Sequence, residues 1–266
     1  MPDWTQPALA LLLSLLIAAL GYWRQWLSPS GVAGAILVGT LTMGFGGWAW
    51  GMALAVFFVS SSLLSRFRAE QKQQTAAEKF DKGSRRDLMQ ALANGGVGAL
   101  AALLSVIFPS PFWLPFFLGV MGTVTADTWA TELGTLSRRP PRLITTGRPV
   151  EVGTSGGISP LGTAVSLAGG VLIGVVTGLF GAGSWWYLAI LAGVGGLAGS
   201  LIDSLLGATV QRIWWDDVKQ KETEKRFKYG REMQPLRGLP WLNNDLVNLL
   251  SSLAGGLVAV AIFALG

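Results

Sequence analysis

WWYLAILAGVGGLAGSLIDSLLG, residues 185–207, decides the fold. It is long enough to cross the hydrocarbon of a bilayer as one α-helix, which takes about 20 residues, and its only ionisable group besides a tyrosine is Asp203. Gly195, Gly199, Asp203 and Gly207 recur every four residues and so form one stripe. A small-residue stripe lets helices approach closely, which places Asp203 on a packed face away from lipid.

Outward from this stretch, Gly, Pro and charge punctuation marks further apolar spans near 7–23, 31–45, 48–64, 91–108, 112–132, 161–181 and 246–265. The chain is 51% hydrophobic and 13% charged. A soluble fold of this length would need far more charge on its surface, so that class is excluded. The expectation is all-α: a polytopic transmembrane bundle of about eight spans, at least six, in one domain over 1–266. Cytoplasmic loops are expected at about 65–90, 133–160 and 208–245. Several spans are short, so tilt or a re-entrant segment is expected near 31–50. Met1–Tyr22 has no basic residue ahead of its apolar run and reads as a first helix rather than a cleaved signal.

All 20 Lys and Arg residues fall at Arg24, in 66–86, in 138–148 and in 212–237, four places on one side of this topology. The positive-inside rule makes that side cytoplasmic and both termini external. Trp48, Trp50, Trp113, Trp185 and Trp186 then fall at outer turns, and Trp23, Trp26, Trp214, Trp215 and Trp241 at inner ends, where headgroup-level indoles belong. The net charge of +5 suits anionic lipid and anionic substrates, with no nucleic acid implied. The mixed-charge runs RAEQKQQTAAEK and DDVKQKETEKR read as solvated helical connectors, the sharper alternative being a basic lid that closes over a nucleotide.

The chain has no cysteine and no histidine, so chemistry must run on carboxylates, hydroxyls, amides, backbone N–H groups and cations. Ionisable groups inside apolar helices usually face the bundle interior and serve a purpose. Asp127, Glu132 and Asp203 are the three, expected as the catalytic and metal-binding set. At 3.6 residues per turn Asp127 and Glu132 sit about 140° apart, so they converge on one ion only if the helix unwinds near Gly134. Asn94, Asn244 and Asn248 lie toward the same ends of their spans, each with a capping reading beside the functional one. Between spans, RRPPRLITTGRPVEVGTSGGISPLG combines Gly153, Gly156 and Gly157, which permit an anion nest, with the hydroxyls of Thr145, Thr146, Thr154, Ser155 and Ser159. Arg138, Arg139, Arg142 and Arg148 flank it. It lacks the Gly-Lys-Ser/Thr ending of a Walker loop.

The strings ADTWATELG (126–134), ITTGRPVEVGTSGGISPLG (144–162), NGG (94–96), GSLIDSLLGA (199–208) and NxxVNxxSS (244–252) resemble an integral membrane family that includes the phytyl-phosphate kinases of plants and cyanobacteria. The likeness covers roughly 30–266. It implies Mg2+-dependent phosphoryl transfer from a nucleoside triphosphate, with CTP expected, to phytyl or another prenyl monophosphate, yielding the diphosphate for tocopherol and phylloquinone synthesis. On this basis Asp127 and Asp203 are expected to bind Mg2+ with Glu132 as ligand or supporting partner. Thr145, Thr146, Arg138, Arg148 and the 153–159 loop would grip phosphates that Asn94, Asn244 and Asn248 orient. A cyanobacterial-type inner or thylakoid membrane suits the resemblance. The competing readings are a prenyl alcohol kinase or cytidylyltransferase, and a transporter of an anion or lipid phosphate. No internal repeat favours transport, and the polar set clusters at one face rather than at the midplane.

Overall fold

The computed structural model describes residues 4–68 and 85–266. Long helices run over α1 (Thr5–Trp23), α2 (Pro29–Gly46), α3 (Trp48–Arg66), α4 (Leu88–Ile107), α5 (Trp113–Gly134), α6 (Pro160–Thr177), α7 (Trp185–Thr209) and α8 (Asn244–Leu265). Each expected span coincides with one of them, and the stretch near 31–50 is a helical hairpin turning at Gly47 (φ 87°) rather than a re-entrant segment. Local signals set the boundaries. Ser28 and Ser159 cap α2 and α6 ahead of Pro29 and Pro160, Asp87 and Gln90 form a capping box on α4, and Asn243 caps α8. Seven of these helices are long and apolar enough to cross a membrane. The leucines of α1, among them Leu12 and Leu16, are exposed where lipid would cover them.

The helix outside those seven is α5, the one that carries Asp127 and Glu132. It lies at the centre, packed on α6, α7 and α8 and touching α3 and α4. Its threonines satisfy themselves locally: Thr123, Thr125 and Thr128 donate to the carbonyls of Gly119, Met121 and Val124 at 2.7–2.8 Å. Close helix approach requires backbone against backbone. A Cβ added at Gly122 would lie 2.4 Å from the Ala192 carbonyl oxygen, and one at Gly255 1.9 Å from Thr123 Oγ1. Around this quartet, α2 bridges α1 and α4 in an outer layer.

A further expectation is corrected. DDVKQKETEKR is not helical: the segment after α7 forms an antiparallel sheet of β3 (Ile213–Asp216), β4 (Lys221–Thr223) and β7 (Gln234–Arg237) in the order β4-β3-β7, plus a hairpin of β5 (Phe227–Lys228) and β6 (Arg231–Glu232). The hairpin turns at Tyr229 and Gly230, both at positive φ, a tight two-residue turn that outweighs the charge pattern. Trp26 and Trp50 stand near helix ends as expected but face the protein interior rather than lipid, Trp50 stacked on Phe117 at 4.1 Å, while Trp23, Trp48, Trp185, Trp186 and Trp241 are exposed. Within 133–160, β1 (Arg142–Leu143) pairs with β2 (Gly157–Ile158). The run RAEQKQQTAAEK lies, after Arg68, outside the described residues.

Candidate active site

At the basic end of the bundle the helices enclose a cavity of about 1190 Å³. The ends of α3, α4, α5, α6, α7 and α8 form its helical wall, the 152–159 loop closes one side, and the β sheet after α7 roofs it. Asp127 and Asp203, from the two helices at the centre of the bundle, both line it and interact electrostatically. Ser251 Oγ donates to Asp203 Oδ2 at 2.8 Å. Asn248, from the same helix, brings a buried Oδ1 with no hydrogen-bond partner among the described residues.

Glu132 goes elsewhere. α5 stays helical through Gly134, so the 140° divergence holds. Glu132 Oε1 accepts from Ser65 Oγ at 2.6 Å and faces Arg86, on the α3 side of the same cavity. Among the described residues no three Asp or Glu side chains gather closely enough to hold an ion by themselves. Arg86 reaches this wall from the start of α4, its backbone paired with Trp26 and Ser28 and its Nη1 on Ser62 at 3.0 Å. Burial pulls its guanidinium down to about 10 while Glu132 works the other way, and the cation persists at neutral pH.

Asn94 does not cap a helix; it lies inside α4 and lines the cavity, as do Asn244 and Asn248. The Gly-rich loop is where the hydroxyl and glycine pattern suggested. Gly153, Thr154, Ser155, Gly156, Gly157 and Ser159 all line the cavity, with Gly153 and Gly156 at φ of 80° and 83°. Gly156 is also pressed on α7, where a Cβ would come within 2.4 Å of Ala208 Cβ. Ser159 Oγ, besides lining the cavity, accepts from Gly162 N–H as the α6 cap. Arg138, Thr145, Thr146 and Arg148 are exposed and outside the cavity. The 142–148 turn closes on itself, Leu143 N–H donating to the Arg148 carbonyl and Arg142 Nη1 to the Gly147 carbonyl, which holds these side chains away.

In their place the roof supplies groups that the sequence reading passed over. Gln211 accepts from Ser155 Oγ at 2.8 Å and donates to Glu224 at 3.0 Å, joining the loop to the roof, and Glu224 faces Asp127. Arg212 and Arg226 lie over the Trp214 ring at 4.8 and 5.9 Å, and all three line the cavity. The readable signal was the Tyr229-Gly230 turn after the β-prone Ile213-Trp214-Trp215.

Residues 12–256 match the family described as Integral membrane protein DUF92. The chain belongs to this family. It is 33% identical to Protein PGR of Arabidopsis thaliana over 96% of each chain. To an uncharacterised membrane protein of Methanocaldococcus jannaschii it is 35% identical over 89% of this chain and 86% of that one. To the protein VTE6, chloroplastic, of Arabidopsis thaliana it is 29% identical over 88% of this chain and 64% of the relative. No solved structure matches. DUF92 membership fixes an integral membrane protein built on this helical plan, in a family whose relatives reach across plants and archaea.

Proposed function

We propose that this DUF92 protein is a membrane-embedded prenyl-phosphate kinase. It transfers the terminal phosphoryl group of a nucleoside triphosphate, CTP being the expected donor, to phytyl or a related prenyl monophosphate. The observation that carries the reading is the opening of Asp127 and Asp203 into one cavity with the 153–159 loop and several guanidiniums. Two neighbouring carboxylates inside a helical bundle are costly without a cation to offset their charge. The donor set fits Mg2+, a hard ion that takes carboxylate and amide oxygens and keeps some water: Asp127, Asp203 and the unpartnered Oδ1 of Asn248 would hold it. Bound there, Mg2+ would neutralise phosphate charge during transfer.

The chain's own residues do the rest by positioning. The acceptor is a phosphate monoester, already ionised at neutral pH, so no histidine base is needed. Hydroxyls of Thr154 and Ser159 and backbone N–H groups of the loop donate to phosphate oxygens, Ser155 ties the loop to Gln211, and Asn94 and Asn244 orient the phosphates. A monoester oxygen attacks the terminal phosphorus as the bridging P–O bond breaks, giving the prenyl diphosphate and a nucleoside diphosphate. The prenyl chain stays in the leaflet beside the helices. The positive-inside rule places this end on the cytoplasmic side. The reading supplies diphosphate to tocopherol and phylloquinone synthesis in a thylakoid or inner membrane.

The test is incubation of detergent-purified protein with Mg2+, each of the four common nucleoside triphosphates, and phytyl or geranylgeranyl phosphate, with mass spectrometry of lipid and nucleotide products. Prenyl diphosphate together with a nucleoside diphosphate is the expected result. Release of pyrophosphate would mean cytidylyl transfer instead, and unchanged lipid with every donor would end the proposal.

A further inference from the structure

We infer that the two basic walls of the cavity divide the two substrates. Arg212 and Arg226 in the β roof take the polyphosphate of the nucleotide, and Arg86 in the helical wall takes the phosphate of the membrane lipid. This rests on the reading that the site joins a nucleoside triphosphate to a lipid monophosphate.

The two walls carry the same group in different surroundings. In the roof, one indole, Trp214, braces both guanidiniums, at 4.8 and 5.9 Å. Planar cations ordered in this way lose little freedom on gripping phosphate oxygens in pairs. Arg212 Nε is buried with no hydrogen-bond partner among the described residues, and its Nη1 donates to the Gly238 carbonyl. Among the described residues Arg226 pairs with the exposed Glu232, a weak solvated bridge that a polyphosphate displaces readily. The roof consists of strands outside the apolar helices, where a hydrophilic nucleotide is accessible from water.

Arg86 sits differently. Its guanidinium lies over Phe57 at 5.3 Å and Phe58 at 5.7 Å and bonds Ser62, all on the transmembrane helix α3. An aromatic setting at the end of apolar helices matches a phosphate whose own chain lies in hydrocarbon. One helix links the walls: α5 presents Glu132 to Arg86 and, five residues earlier, Asp127 to Glu224 of the roof. Five residues rise about 7.5 Å along the helix, so one element reaches both walls.

The experiment compares wild type with Arg226→Gln, Arg212→Gln and Arg86→Gln in detergent micelles with Mg2+, varying nucleotide and prenyl phosphate separately. Binding of a β,γ-methylene nucleoside triphosphate is measured in parallel. Loss of a charged hydrogen bond raises the relevant KM about tenfold. The roof variants are therefore expected to raise the nucleotide KM and weaken analogue binding with the lipid KM within about twofold, and Arg86→Gln to do the reverse. Arg226 is 61% exposed, so its variant folds; Arg86→Lys, which keeps the charge, guards against misfolding at the buried position. Roof variants that leave nucleotide KM and analogue binding unchanged, or variants that move both constants together, overturn the division. A wild type that binds the analogue but never phosphorylates prenyl phosphate ends the kinase reading, while the binding data still judge the roof. A wild type that binds no nucleotide ends both.

Discussion

In the roof of the cavity Asp216 receives four hydrogen bonds, from the backbone of Val218 and Lys219 at 3.1 Å, from Lys228 at 2.6 Å and from Tyr229 at 3.3 Å. In the helical wall Asp203 takes one from Ser251 at 2.8 Å and faces a second carboxylate, Asp127. The roof's acid serves architecture, tying β3 to the β5–β6 hairpin. The acids of the helical wall stand together, held there by glycine-mediated packing that leaves little room to relax, so their oxygens suit a cation and phosphate. A saturated carboxylate stabilises a fold; carboxylates held near one another stabilise a ligand.

The heaviest blow to the helical wall is steric. Gly122→Val puts a side chain where a Cβ already lies 2.4 Å from the Ala192 carbonyl. Overpacking of this kind costs about 1–3 kcal/mol or more, so the variant is expected to lose its monodisperse peak in size-exclusion chromatography; an intact, active variant would mean that the helices do not pack as described. Next comes charge within that wall. Asp203→Asn and Asp127→Asn are each expected to fold and to lose about 100-fold or more in turnover. Near-normal rates in either would remove that residue from the site.

Breaking the roof should cost less. Asp216 is shut off from solvent yet shallow, so Asp216→Asn is expected to destabilise the sheet by about 1–3 kcal/mol. Faster hydrogen exchange over 213–237, with the helices unchanged, is the measurement. Burial pushes the Asp216 carboxyl up, but the Lys228 and Lys219 bonds, the Lys228 charge and the Tyr229 bond outweigh it and hold it below the ordinary range. Burial likewise lowers Lys228, and Asp216 more than restores it, holding it above its ordinary value. The Asp216 contribution is thus present above about pH 4 and lost as pH falls through its depressed pKa. That of Lys228 is present below about pH 10 and lost as pH rises through its raised one. The protection factor over the roof, exchange corrected for its base-catalysed intrinsic rate, should therefore be flat between these limits and fall beyond both; a fall near neutrality would contradict the pairing. The smallest effect is expected at Arg148, exposed and outside the cavity: Arg148→Ala should change turnover by less than about twofold, as surface substitutions generally do. A tenfold loss would bring the 142–148 turn back into the site.

The helical plan was legible because it depends on local quantities. Runs of apolar residues bounded by Ser28-Pro29, Ser159-Pro160 and Gly47 set span length and ends without reference to any other part of the chain. The spacing of Gly195, Gly199 and Asp203 likewise forecast a packed face, since helical periodicity fixes which side chains share a stripe. The gathering of Asp127, Asp203, Asn94, Asn248 and the 153–159 loop at one end followed from the same topology.

Tertiary structure decided what spacing cannot. Whether Arg148 or Arg226 meets the cavity depends on a turn that closes on itself and on a hairpin that folds back over the bundle, each set by pairing between distant residues. Glu132 was separated from the other acids by a helix that stayed wound and by Ser65 and Arg86, which lie far away in sequence. The sequence by itself determined an integral membrane bundle with carboxylates at its basic end. Which cations and which third acid complete that end, only long-range contacts could assign, because a side chain's partners across space carry no signature in its neighbours along the chain.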